Sequence, residues 1–322
     1  MSEQSMVVKI EPTPLRLREP ALRLMRLGRA RTRRLLEAAW AGAIDMEGLF
    51  HAQRQETTVG AVWGQRVPGS LAFCWPAALA AGEPEHTAEL LHAAVNRYLD
   101  EAGIRMAQAM LPVQDVLSAM RLVRAGYEHL LDLDCLASSS ETFPKEPPRR
   151  PFTVLAGWRG RETRLKALIE RTYENTLDCT SLGSVRSMDD VLDGYRHTGV
   201  FRSDWWVIAR HKGADIGCVL LADHPEHNQC ELMYLGVVPE QRGKGWGMQL
   251  TRLAQWIALQ AHRQQIVLAV DDGNRPARRL YERAGFDAWD RRSVYVRAMR
   301  AQREGKIRGP SSTARARPDE EP

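Results

Sequence analysis

The stretch from Glu231 to Phe286, which opens ELMYLGVVPEQRGKGWG and closes AVDDGNRPARRLYERAGF, admits few folds. An apolar strand runs into a turn holding Gly243, Gly245 and Gly247, and the turn opens a helix. A second apolar run, Ile266–Val270, follows, and then an Asn-started helix that stops at Gly285. Glycines in such a turn supply positive φ and let backbone N–H groups approach a ligand with no Cβ between them. The helix N-terminus adds a macrodipole that favours negative charge, so the turn is suited to cradling a diphosphate. Arg242 and Lys244 supply counter-charge. The turn has neither the GKS or GKT of a Walker loop nor the spacing of a dinucleotide fingerprint.

A chain of 322 residues suits two domains of about 150 residues each. The segment 138–151, SSETFPKEPPRRP after its first serine, is rich in proline and reads as a linker. The tail 301–322 has too little apolar surface to order itself. Between them, 152–300 alternates in period. Helices are expected at 161–175, at 188–197 behind the N-cap Ser187 with Asp189 and Asp190 in its first turn, at 248–261 and at 276–284. Strands are expected at 205–210 and 216–222 around a Lys212-Gly213 turn, at 230–238, 266–270, 286–289 and 293–299. The fold class is a mixed α/β sheet with helices on both faces.

Residues 1–137 read as a degenerate copy of this unit. QDVLSAMRLVRAGY aligns with GNRPARRLYERAGF, and Asp115, Leu122 and Gly126 each precede Asn274, Tyr281 and Gly285 by 159 positions. Hairpin strands at 48–54, 59–65 and 70–75, a helix at 85–102 and a strand at 105–111 keep the same order. The copy carries a single glycine, Gly82, and no basic residue where the glycine turn should be, and Leu122 stands in place of Tyr281. It is expected to be structural or to shape the substrate site.

Two signatures, Arg242-x-x-Gly245-x-Gly247 and Asn274-x-x-Ala277-x-x-x-Tyr281-x-x-x-Gly285-Phe286, resemble the acetyl-CoA-binding core of the GNAT acyltransferases. The tandem arrangement is similar to the mycothiol synthase-like branch. The resemblance implies acetyl-CoA as acyl donor, with the pantetheine along Leu235, Gly236, Val237 and Val238, and an amide near Val237 holding the oxyanion. It implies the diphosphate on Arg242, Gly243, Lys244, Gly245, Trp246, Gly247 and Met248, with Asn274, Ala277 and Arg278 alongside. Tyr281 would protonate the leaving thiolate, and Glu231 would be the base or the anchor of an amine acceptor. Read as structure alone, Asn274 is a helix cap, Tyr281 a core residue and Glu231 a strand-edge carboxylate. Tyr173, Asn175, Asp178, Asp204 and Trp205 are expected to line the acceptor pocket. The expected reaction is direct attack by a primary amine, of a small molecule or a peptide, in a ternary complex. The rival reading is a non-catalytic acyl-CoA-binding or sensing module, which would need neither Glu231 nor Tyr281.

Composition sets the remaining bounds. No apolar run reaches the roughly 18–20 residues that span a bilayer, and MSEQSMVVKIEP carries no signal pattern, so the expected compartment is the cytoplasm. The five cysteines, Cys74, Cys135, Cys179, Cys218 and Cys230, are scattered without a CxxC, which argues against disulfides and zinc. A net charge of +5 favours acidic partners, but the coenzyme's phosphates account for that without nucleic acid. The basic tail is the one feature that would favour nucleic acid. His224 and His227 superficially resemble a metal pair, yet no third ligand is evident and no metal is expected. No Gly-x-Ser-x-Gly elbow supports hydrolase chemistry.

Overall fold

The computed structural model describes residues 7–148, 151–157, 159–178 and 186–298. The first half of the chain runs β1 (Lys9–Pro12), α1 (Leu15–Leu24), α2 (Arg29–Trp40), β2 (Leu49–Arg54), β3 (Thr57–Val67), β4 (Leu71–Leu79), α3 (His86–Glu101), β5 (Met106–Pro112), α4 (Val116–Arg124) and β6 (Glu128–Ser139). The second half repeats the order as β7 (Thr153–Ala156), α5 (Glu162–Tyr173), α6 (Met188–Arg196), β8 (Trp206–His211), β9 (Ala214–His224), β10 (Gln229–Val237), α7 (Trp246–Gln260), β11 (Gln265–Asp271), α8 (Arg275–Arg283) and β12 (Asp287–Ala298). The repetition extends to lengths, with nine residues in both β4 and β10 and seven in both β5 and β11.

All twelve strands form one mixed sheet, ordered β1-β2-β3-β4-β5-β12-β6-β11-β10-β9-β8-β7. The last strand of each half lies in the place the other half leaves open. β12 pairs antiparallel with β5 and β6, and β6 pairs antiparallel with β11. Strand alternation then fixes the two faces. Leu122, Ala109 and Tyr295 pack with the α3 side chains, and Leu136, Tyr281 and Ala284 pack with those of α7, so α3, α4, α7 and α8 share one face. The other face carries α1 and α2 over Trp63 and Leu49, and α5 and α6 over Trp206 and Ile208.

Local chemistry sets the element ends. Ser187 accepts from Asp190 N while the Asp190 carboxylate accepts from Ser187 N, a capping box that starts α6. Lys212 and Gly213 both have positive φ, as a two-residue β8–β9 hairpin requires. α6 is held against the first half: Asp190 accepts from Ser70 Oγ at 3.0 Å and pairs with Arg105 at 3.0 Å, and Arg186 Nε donates to Gly69 O at 2.9 Å. A Cβ on Gly69, where φ is +84°, would lie 2.1 Å from the Asp190 carbonyl oxygen, so only glycine permits this contact.

Several sequence expectations are corrected. The expected strands at 286–289 and 293–299 are one strand, β12, bulged between Ala288 and Asp290, because pairing on both edges keeps it extended. The expected linker begins later than residue 138. β6 continues through Ser139, Ser138 Oγ accepts from buried Gln255, and Phe143 is 2 % exposed within the α7–α8 core. Helix α7 starts at Trp246 rather than 248. The tail 301–322 and Cys179 lie outside the described residues. Among the described residues no helix is long and apolar enough to cross a membrane.

Candidate active site

β10 and β11 are paired in parallel only at Gln229↔Gln265, Cys230↔Ile266 and Glu231↔Val267. Beyond Glu231 they part, while β10 stays paired with β9 through a bulge between Leu232 and Tyr234. A cleft opens between the two strands, and backbone groups on the β10 edge are released from the ladder. Leu235, Gly236 and Val237 lie along that edge, opposite Val219, Cys218 and Gly217 of β9. Val238 falls outside it, because its N–H donates to Ile216 O at 3.1 Å and its side chain is buried.

The glycine turn closes the wide end. Gly243 and Gly245 have φ of +75° and +80°, and a Cβ at either would meet nothing within 4 Å, so backbone conformation alone calls for glycine there. Gly245 caps α7 without a side chain, which leaves the first-turn amides with no side-chain acceptor. Gly247 has a different reason: its Cβ would lie 2.5 Å from Leu280, so α7 and α8 approach closely there. Met248 continues the first turn, half-buried against the core, and the Trp246 ring packs edge-on to Phe152.

The expected cations are engaged by the protein's own acceptors. Arg242 donates to Val237 O, Asn175 O and Thr172 O at 3.1, 2.9 and 2.9 Å, joining the end of β10 to the last turn of α5. Lys244 Nζ donates to Glu240 O and Gln241 Oε1. Arg278 pairs with Asp134 of β6 at 2.8 Å. A guanidinium fixed by carbonyls in this way is a positioning group rather than a free phosphate clamp. Asn274 is the α8 cap, accepting from Ala277 N at 3.2 Å, and Ala277 is half-buried beside the core.

The two candidate catalytic groups occupy different walls. Tyr281 is buried on α8, with its ring 5.5 Å from that of Phe286. Burial, and after it the nearby Asp178 carboxylate, hold its phenol well above the ordinary value. Glu231 sits at the apex where the strands part, and its Oε2 lies 3.0 Å from His224 Nε2. That hydrogen bond is the main cause holding the His224 imidazolium above its ordinary value. In the sequence His224 stands out only as one of a superficial metal pair with His227. The hairpin register, Gln229↔His224 and Glu231↔Ala222, sets it diagonal to Glu231 on one face.

The acceptor-side residues separate. Asp178 reaches the cleft, where its carboxylate accepts from Asp271 N at 3.3 Å, and desolvation raises its pKa. Tyr173 packs edge-on to Tyr234 at 5.7 Å, and Tyr234 OH lies 2.5 Å from Thr172 Oγ1. A Cβ on Gly236 would sit 2.6 Å from that same Thr172 oxygen, which explains how closely β10 approaches α5. Asn175 contributes its carbonyl to Arg242. Asp204 is exposed, and Trp205 is buried in the core cluster that holds the α7 residues. A 3-10 turn, Ser203–Trp205, rotates Trp205 inward, and sequence spacing could not show this.

The first half has the matching strand separation, with β4 and β5 paired in parallel only from Leu71↔Met106 to Phe73↔Gln108. Its cleft is filled by its own side chains. Ala77, seventh in β4 as Leu235 is in β10, donates its N–H to His92 Nε2 at 3.2 Å and accepts from Arg121 at 2.9 Å. Arg121 is fixed in turn by Glu85.

Residues 169–286 match the family model described as Acetyltransferase (GNAT) family. A GCN5-related N-acetyltransferase from Sphaerobacter thermophilus shares 15 % identity, with a TM-score of 0.62 over 92 % of this chain and 96 % of that one. A tandem GNAT protein from the clavulanic acid biosynthesis pathway shares 14 %, with a TM-score of 0.53 over 95 % of this chain and all of the other. No curated protein matches the chain in sequence. The family match thus lies in the half that holds the cleft, the glycine turn and α8, and the chain over its whole length has the fold seen in tandem GNAT proteins.

Proposed function

We propose that this protein is an acetyl-CoA-dependent N-acetyltransferase with one active site, in the second half. The division we propose is a degenerate GNAT-like first domain and a catalytic second domain. The observation that carries the reading is the parting of β10 and β11 directly after Glu231, with the glycine turn at the open end and buried Tyr281 in the wall. Acetyl-CoA would lie with its diphosphate on the Gly243–Gly245 amides and the α7 N-terminus, and with its pantetheine along Leu235–Val237. An edge amide near Val237 would hold the oxyanion of the tetrahedral intermediate. We place this chemistry in the cytoplasm, where the free thiols Cys74, Cys135, Cys218 and Cys230 stay reduced.

The acceptor amine would arrive as its ammonium form at Asp178 and Glu231. Loss of its proton costs roughly 1.4 kcal/mol per pH unit below its pKa. Glu231 would take that proton and His224 would pass it on toward solvent. The neutral amine would attack the thioester carbonyl, forming the C–N bond, and collapse would break the C–S bond. Tyr281 would then donate to the departing sulfur, and the proton that the nitrogen sheds on becoming an amide would restore the phenol. A phenol held high, chiefly by burial, stays protonated until needed, and an ammonium beside Asp178 would offset the smaller part that the Asp178 charge contributes. Calorimetry with acetyl-CoA, followed by release of free thiol across an amine library, tests the reading. We expect a stoichiometry of one and turnover lost in Glu231→Gln. Tight acetyl-CoA binding with no turnover of any amine would instead favour a binding or sensing module.

A further inference from the structure

The sheet face that carries α1, α2, α5 and α6 is open between the two helix pairs, as the 43 % exposure of Met110 and 38 % of Phe73 show. The register identifies a row across this floor. Asp271 of β11 pairs with Leu133 of β6, and Leu133 pairs with Arg292 of β12. Asp178 is hydrogen-bonded to the Asp271 amide at one end of the row, beside the cleft. Arg292 stands at the other end, its Cα two strand spacings, or about 10 Å, from that of Asp271.

A second guanidinium lies on the same face from another element, over β4, two places from β12 in the sheet order. Arg31 of α2 lies over the Trp75 ring, 4.7 Å from its centroid. Burial first, then the charges of Arg292 and Arg34, disfavour its cationic form. The carboxylate recorded against this group is Asp290, which accepts from Arg292 Nε at 2.6 Å. The surrounding segment is itself basic: residues 15–40 hold eight arginines against two glutamates, a surplus of six where the whole chain carries +5. Both glutamates are already engaged in pairs, Glu19 with Arg23 and Glu37 with Arg33. Guanidinium groups that repel one another are relieved when an anion lies between them.

We propose that the acceptor is an anionic amine, with its nitrogen at Asp178 and a carboxylate or phosphate at the far end of this row, between Arg31 and Arg292. The first half of the chain is then the specificity element of the second-half active site. The proposal rests on the acetyl-transfer reading above.

The test compares ω-amino carboxylates of increasing chain length with alkylamines and ω-aminoalkyl phosphates of equal length, by kcat/KM. We expect an optimum length at which an anionic acceptor exceeds the alkylamine by about tenfold or more, and the better of the two anions identifies the class. In Arg31→Gln and in Arg292→Gln that ratio should fall toward one, chiefly through KM. A ratio near one in the wild type, or one that survives both variants, overturns the proposal. The same comparison is read without turnover by calorimetry of the N-acetylated products. There, loss of preference for the anionic product in Arg31→Gln supports the proposal, and equal binding of both products overturns it. Acetyl-CoA affinity, measured alongside, reports separately on whether the acetyl-transfer reading holds.

Discussion

The His224 imidazole and the Glu231 carboxylate meet 3.0 Å apart across the β9–β10 hairpin, where β10 leaves β11. His224 is held above its ordinary value, chiefly by that hydrogen bond, with smaller contributions from the charges of Glu231, Asp223 and Glu226. The relay role requires neutral His224, so kcat/KM should rise as pH climbs through a value above about 6.5. In His224→Gln this limb should vanish or move. The pair's stabilising effect has the opposite sense: present below about 6.5 and lost as pH rises through the folded-state value. The gap in melting temperature between wild type and variant should therefore close toward alkaline pH. Identical pH profiles would remove His224 from the mechanism.

Gly69 is a second point where the halves depend on each other. Gly69→Val would force φ of +84° on a branched residue and place its Cβ 2.1 Å from the Asp190 carbonyl oxygen. We expect a loss of about 2–4 kcal/mol in denaturant melts, with a raised KM for the acceptor and unchanged acetyl-CoA affinity. Gly82→Val is the control, because Gly82 has the same φ sense, +82°, but its Cβ would meet nothing within 4 Å. It should cost stability and leave the acceptor KM alone. An acceptor KM unaltered in both variants would mean that α6 docking does not shape the acceptor site.

The strand exchange makes a prediction about cutting the chain. β12 pairs only with β5 and β6, both from the first half, and β11 relies on β6 for one edge. Residues 152–322 expressed alone should be insoluble or lack a cooperative melt, since they expose a long unpaired edge. Co-expression with residues 1–151 should restore a soluble complex. A folded, monomeric 152–322 would show that the exchange is dispensable.

What could be read from the sequence divides along the range of the interactions involved. Gly243, Gly245, Asn274 and the Lys212-Gly213 turn were legible because φ and capping are decided within a few residues. The exchange of β6 and β12 was not, because it joins residues far apart in the chain, such as Val296 and Glu128, whose patterns suit either neighbour. Arg242 and Arg278 show the same limit in the site: their charge was visible, but their partners, the Thr172 and Asn175 carbonyls and Asp134, are chosen by the fold. α1 and α2 were hidden because eight arginines mask the buried stripe of Ala21 and Leu22. Trp205 is expected from the sequence to line the acceptor pocket, and the structure buries it in the core at the end of a 3-10 turn.

His92, which plugs the first-half cleft, should make that half acid-labile. Burial, and secondarily Arg121, push it down to about 4, so it is neutral and accepts from the Ala77 amide. The unfolded chain binds a proton near 6.5 that the folded state refuses, so stability is full above that pH and falls toward 4. The loss should be about 3 kcal/mol over the window. His92→Gln should flatten this part of the stability–pH curve in chemical denaturation. A wild-type curve that is already flat between pH 6.5 and 4 would mean that His92 is protonated in the folded protein.

Tyr281→Phe isolates the acid. The substitution removes one oxygen and leaves the ring packed against Phe286, so fold and acetyl-CoA affinity should be kept. Turnover should fall by roughly 10²-fold, the scale of losing general acid catalysis. The phenol is held high by burial and then by Asp178, so Asp178→Asn should bring it down toward its ordinary value. The alkaline limb of kcat in Asp178→Asn should then move to lower pH, since deprotonation of the acid begins earlier. In the double variant with Phe at position 281 that limb should disappear, because no phenol remains to titrate. A Tyr281→Phe enzyme turning over at the wild-type rate would transfer the proton-donor role to water, and an unmoved limb in Asp178→Asn would show that the two groups do not communicate.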